Sequence, residues 1–219
     1  MIEVPTQKIN DVLISDKYKI VFFNVKKAAS SSISSYFFDH LDGRTYCPCT
    51  CKEMHWYKNY QDYFSFAFVR NPFNRLLSCY KNKIIQPNIP NWKHDIGDIF
   101  KNYGSKFYKE MTFKQFLEAI ISLDPEDYDR HFGPQYSFVC DKDENVIVDF
   151  IGRVENFERD FGFLIKQQNL PKVDLNYYWH NKTTVEAFYD EETMELAKQV
   201  YGVEKDIQFF YNNQDDFSF

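Results

Sequence analysis

Two apolar runs in this chain each break at a polar turn and continue with helical spacing, and that pairing restricts the fold more than any other feature. The first is Lys19-Ile-Val-Phe-Phe-Asn-Val25, which leads into Lys26-Lys27-Ala28-Ala29-Ser30-Ser31-Ser32. The second is Phe64-Ser-Phe-Ala-Phe-Val-Arg70, which leads into Asn71-Pro72-Phe73-Asn74-Arg75-Leu76-Leu77-Ser78. Continuous apolar runs of this length suit strands buried on both faces of a sheet. Two such strand-to-helix turns gather Lys, Arg, hydroxyls and backbone N–H groups at one edge of that sheet. An anionic, phosphate-bearing ligand fits such an edge.

The helices can be read from their starts. Ile33, Tyr36, Phe37 and Leu41 share one face after the serines. Asn71 is a good N-cap, with Pro72 at the first helical position, where its missing N–H costs nothing. Phe73, Leu76, Leu77, Tyr80 and Ile84 then recur at helical spacing. Thr112 and Gln115 form a capping box that opens a helix to Leu123, with Phe113, Phe116, Leu117, Ile120 and Ile121 on its core face. Residues 146–151 read as a strand after the turn Asp141–Asn145. Further helices are expected from Glu155 to Gln168 and from Asp190, a cap, to Tyr201. Strands alternating with helices predict one α/β domain with a central, mainly parallel sheet flanked by helices. Residues 1–17 read as an N-terminal extension, and 86–110 as an irregular excursion near the active face. Ligands of such sheets bind beyond the carboxyl ends of the strands, where both turns lie.

Composition narrows the function. The 219 residues carry a net charge of −6, which argues against a general affinity for nucleic acid. No run approaches the ~20 apolar residues of a membrane span, and the start lacks a signal-peptide layout. The chain therefore reads as cytoplasmic, and a secretory or Golgi setting would require it to be trimmed. Cys47, Cys49 and Cys51 with His55 could hold zinc, but alternate cysteines are not the familiar C-x-x-C spacing. Reduced thiols on a loop, and no metal, are the better reading.

Each turn has two readings on its own residues. Lys27 precedes small residues and hydroxyls, whereas a nucleoside-triphosphate loop places glycines before its lysine and a hydroxyl directly after it. The small side chains of Ala28 and Ala29 let a phosphate approach the backbone at a helix N-terminus. Equally, Ser30 to Ser32 could merely cap the helix. Arg70, at a strand's carboxyl end, can make a bidentate bond to a terminal phosphate, or serve as scaffold alone. Arg75 reads instead as a structural residue that bonds back to the turn.

In this order, the two turns resemble the sulfotransferases that use 3′-phosphoadenosine 5′-phosphosulfate (PAPS), and most of all the carbohydrate type and its short bacterial relatives. The resemblance rests on Lys27-Ala-Ala-Ser-Ser-Ser32 and, more specifically, on the ungapped string Phe68-Val-Arg-Asn-Pro-Phe-Asn-Arg-Leu-Leu-Ser-Cys-Tyr80. His131-Phe-Gly-Pro-Gln135, Asp149-Phe-Ile-Gly-Arg-Val-Glu155 with Asp160, and His180-Asn-Lys-Thr183 extend it over most of the chain. Lys26, where relatives usually carry proline, and Ser30, in place of glycine or cysteine, depart from it.

The resemblance implies a P-loop-like sulfotransferase fold. It also implies that Lys27, Ala29 and Ser30 to Ser32 hold the 5′-phosphosulfate, that Arg70 and Ser78 hold the 3′-phosphate, and that Lys182 and Thr183 complete the cofactor site. The implied acceptor is a glycan or another hydroxyl-bearing molecule. Lys27 would stabilise the bridging oxygen, and a base would take the acceptor's proton. His55 is the first choice of base, because relatives often carry a histidine in that interval. Glu53 and His131 are the substitutes, and His131 is also assigned to the acceptor side. A nucleotide or small-molecule kinase and a non-catalytic nucleotide binder stand as alternatives.

Overall fold

The computed structural model describes residues 12–46, 60–85, 103–141, 143–175 and 188–211. In chain order the strands are β1 (Val12–Ser15), β2 (Ile20–Phe23), β3 (Arg44–Tyr46), β4 (Phe64–Val69) and β5 (Phe150–Arg153). The helices are α1 (Ser30–His40), α2 (Pro72–Tyr80), α3 (Phe113–Ile121), α4 (Tyr136–Val139), α5 (Phe157–Gln167), α6 (Glu191–Gln199) and α7 (Val203–Phe210). Of the described residues, those up to Asn71 and from Gln135 to Leu175 form one compact unit. Those from Pro72 to Pro134 and from Phe188 onward form a second.

The first unit holds the sheet, in the order β3-β1-β2-β4-β5. β2 pairs parallel with β4, and β4 with β5, while β1 pairs antiparallel with both β2 and β3. The sheet is therefore mixed, which corrects the mainly parallel sheet expected. The cause is chain length: only residues 16–19 separate β1 from β2, too few for a parallel crossover, and Lys19 closes this turn with a left-handed φ of 51°. β1 also lies within the stretch expected to be an N-terminal extension, yet its four residues are buried in the sheet.

The strand expected at 146–151 starts later. Asp141 does make the predicted turn, accepting from the backbone N–H groups of Asp143 and Asn145, but Val146 forms only an isolated bridge with Cys140. Asp149 then ties the chain to β4, its Oδ2 accepting from Ser65 N at 2.7 Å and Ser65 Oγ at 2.8 Å. The parallel ladder runs from Phe66↔Phe150 to Val69↔Arg153. The carboxyl ends of β2, β4 and β5 thus lie along one side of the sheet.

Aromatic rings fill this unit. Phe22 stacks on Phe66 at 5.1 Å between ring centroids, and Phe68 meets Phe157 and Phe161 from α5 at 5.4 and 5.9 Å. Gly152 is required by this packing, since a Cβ there would stand 2.5 Å from the Phe68 ring. α1 buries Ile33, Tyr36 and Phe37, and the Tyr36 hydroxyl donates to the Pro171 carbonyl at 2.8 Å.

The second unit is helical. α2 begins at Pro72 and buries Phe73, Leu76, Leu77 and Tyr80, and a π-helical turn at Lys81–Ile85 keeps Ile84 buried as well. α3 opens with the Thr112–Gln115 capping box, and α6 with a second box between Asp190 and Thr193. Each box satisfies backbone N–H groups that helix geometry leaves without partners. Arg75 is structural: it is buried and donates to the carbonyls of Gly133 at 2.6 Å and Arg130 at 3.0 Å.

Among the described residues, no helix is long and apolar enough to cross a membrane, and no group of His, Cys, Asp or Glu side chains could hold a metal ion. The cysteine tract at 47–51, His55, Lys182, Thr183 and most of the 86–110 excursion lie outside the described residues.

Candidate functional site

The site begins where β2 runs out. Past Phe23 the chain turns tightly, with Val25 N donating to the Phe23 carbonyl at 3.1 Å and Ala28 N to the Val25 carbonyl at 3.3 Å. Lys27 and Ala29 both adopt left-handed backbone, at φ 68° and 58°. That conformation costs a residue with a Cβ roughly 1–2 kcal/mol, and glycine would take it freely. Non-glycine residues in this region cluster at functional sites, where strain is held by the surrounding structure. Ala28 between them is fully buried, while the two lysines are half-exposed.

The reading of Ser30 to Ser32 as caps is overturned. Ala29 occupies the cap position of α1, and no side chain bonds there. The serines are the first three helical residues, and the first intrahelical donor is Ile33 N, to the Ala29 carbonyl at 3.0 Å. The N–H groups of the serines precede that bond, so the partial positive charge of the helix end meets the hydroxyls of Ser30 to Ser32.

The second turn follows β4 and is held differently. Gln135 reaches both backbone groups of Arg70: its Oε1 accepts from Arg70 N at 2.9 Å, and its Nε2 donates to Arg70 O at 2.7 Å. Glu155, just past β5, accepts from Asn71 N at 2.8 Å. Asp160 repeats the device one strand over, accepting from Arg153 N at 2.8 Å. From this fixed root the Arg70 side chain, largely buried, places Nη1 3.5 Å from the carbonyl oxygen of Lys27. The two turns are therefore adjacent: the guanidinium of one lies against the main chain of the other.

The structure brings together Lys27, Ala29, Ser30 to Ser32 and Arg70 at the carboxyl edge of parallel strands. Ser78 lies on α2 and His131 beyond α3, both in the helical unit, and both are buried. His131 is held by Asp129, whose Oδ1 takes the ring Nδ1 at 2.5 Å and the His131 backbone N at 2.8 Å. Burial pushes the Asp129 carboxyl up, but the hydrogen bonds and charge of His131 outweigh it and leave that carboxyl below the usual aspartate range.

Three features escape a reading of the sequence. The left-handed pair at Lys27 and Ala29 carries no glycine to mark it. Gln135 and Glu155 stand in strings that match known motifs, but only the fold shows that they grip the second turn. Asn24, at the exit of β2, is nearly buried, and its Oδ1 has no hydrogen-bond partner among the described residues. A polar residue interrupting an apolar run was its only signal.

The chain matches the model of the sulfotransferase family over residues 10–212, and it belongs to that family. It is similar to carbohydrate sulfotransferase 14 of Mus musculus, 26% identical over 212 residues that cover 83% of this chain and 53% of that protein. The similarity to carbohydrate sulfotransferase 14 of Danio rerio is 28% over 137 residues, 58% of this chain and 36% of the relative. Carbohydrate sulfotransferase 10 of Xenopus laevis is 26% identical over 179 residues, 72% of this chain and 49% of its own length. The chain thus spans about half or less of these relatives. No solved structure matches it.

Proposed function

We propose that this chain transfers a sulfuryl group from PAPS to a hydroxyl of a carbohydrate, on a P-loop-like sulfotransferase fold. The observation that carries the reading is the Arg70 guanidinium set against the Lys27 carbonyl. One edge of the sheet then offers cationic and N–H donors to both phosphate-bearing ends of one nucleotide. The residues present fit that donor: small Ala28 and Ala29 leave room for close approach, and the helix end beside them has no side-chain cap. The names of the relatives specify carbohydrate acceptors for those proteins, and this supports the same acceptor class here.

When bound, the donor supplies an activated sulfuryl group on a phosphate leaving group. Lys27 would neutralise the negative charge that develops on the leaving group, as positioned cations do in phosphoryl transfer. The serine hydroxyls and the N–H groups of α1 would orient the 5′ end, and Arg70 would hold the 3′-phosphate; Ser78 belongs to the proposal through the resemblance alone. His55 is the first choice of base. His131, whose ring Nδ1 lies 2.5 Å from Asp129 Oδ1, is the substitute among the described residues. Lys182 and Thr183 belong to the proposal through the resemblance alone.

Titration calorimetry with adenosine 3′,5′-bisphosphate and with ATP–magnesium, followed by a transfer assay from PAPS to a glycan panel, tests this reading. Tight bisphosphate binding with transfer is the expected result. Preference for ATP would point to a phosphoryl donor and overturn it. Tight bisphosphate binding without transfer to any acceptor would assign the chain as a non-catalytic binder.

A further inference from the structure

We propose that Gln135 is the positioning residue for Arg70, and that its carboxamide sets the chain's selectivity for a nucleotide bearing a 3′-phosphate. The inference rests on the donor reading above. Arg70 stands one residue beyond the end of the ladder, which closes at Val69↔Arg153. Its N–H and carbonyl lie past the last paired residue of β4. Gln135, 65 positions further along the chain and fully buried, bonds to both. It acts as a one-residue substitute for a neighbouring strand.

The chemistry of the side chain is specific. A carboxamide carries an acceptor and a donor on one planar group, so it can satisfy both backbone groups of one residue at once. Ionised glutamate would accept from Arg70 N but could not donate to Arg70 O, and methionine, of similar length, would do neither. The grip fixes the Arg70 Cα, and Glu155 fixes the next N–H, 84 positions from it in sequence. A long arginine side chain has many rotamers, but rooted here its guanidinium reaches the Lys27 turn. A looser root would leave the charge in place and lose its aim.

The test compares two probes on wild type, Gln135→Met and Gln135→Glu, each first checked for folding by circular dichroism and thermal melting. The probes are adenosine 3′,5′-bisphosphate and adenosine 5′-monophosphate, which lacks the 3′-phosphate. Wild type should prefer the bisphosphate. Gln135→Met should weaken bisphosphate binding about ten- to a hundredfold, the scale of a small misplacement, while changing monophosphate binding by less than about twofold. Gln135→Glu should fall between. Retained wild-type selectivity in folded variants overturns the proposal, as does equal weakening for both probes, which is what a purely structural role predicts. If only Gln135→Glu folds, the same criterion applies to it alone. If neither folds, Gln135 is a scaffold residue and the proposal fails. A wild type that does not distinguish the two probes sinks the donor reading itself, before any variant is read.

Discussion

The two turns do neighbouring jobs on one sheet edge but are held in opposite ways. The Lys27 turn is shaped by its own backbone, through two short-range hydrogen bonds and two left-handed residues. The Arg70 turn is shaped by side chains that arrive from far along the chain, Gln135 and Glu155. The contrast teaches that one turn of a sheet edge can be encoded locally, by its own backbone. A single guanidinium that must point one way needs an external frame.

The largest expected effect tests whether the first turn does chemistry. Lys27→Ala should lower turnover about a hundred- to a thousandfold, the range for losing one donor to a developing negative charge, with affinity for the bisphosphate much less affected. Equal losses in turnover and affinity would make Lys27 a binding residue only. Arg70→Ala comes next. Loss of its charge-assisted bonds, about 1.5–3 kcal/mol, should weaken bisphosphate binding roughly ten- to a hundredfold and leave monophosphate binding nearly unchanged, by calorimetry.

The third prediction addresses the frame. Glu155→Ala leaves the buried Asn71 N–H without this acceptor and should destabilise the fold by about 1–3 kcal/mol in denaturant unfolding. Thr112→Ala, which removes the capping box of α3, should cost about 1 kcal/mol and leave both nucleotide affinities alone. Smallest of all should be Ala29→Gly in the self-shaped turn. Relief of left-handed strain, roughly 1–2 kcal/mol, opposes the added freedom of the unfolded chain, about 0.4–1 kcal/mol, so thermal stability should hold or rise slightly. A large loss from Ala29→Gly would break the comparison.

The same contrast explains what could be read in advance. Helix starts at Pro72, Thr112 and Asp190 were legible because caps and spacing act over a few residues. So was the location of both turns, since each joins an apolar run to a helical period. The mixed character of the sheet was not, because β1 and β3 are too short to announce themselves and their pairing depends on the length of one turn. Nor was the grip of Gln135 on Arg70, a relation between distant residues that only the closed fold creates. Ser30 to Ser32 left a helix cap and a phosphate loop both open. Serine before a helix is usually its cap, but here the backbone enters the helix one residue earlier, through Ala29.

The left-handed pair at Lys27 and Ala29 has one more consequence, and it is entropic. A glycine-rich phosphate loop samples many shapes and must be ordered when its ligand arrives, which subtracts from affinity. This turn has a Cβ at every position from Asn24 to Ser32, so its freedom is already small before any anion approaches. The ordering is done during folding, and binding meets a loop that is preset. Under the proposed function, the nucleotide should bind with a more favourable entropy than in a glycine-bearing counterpart, and Ala29→Gly should show the change as a shift between enthalpy and entropy at nearly constant fold stability.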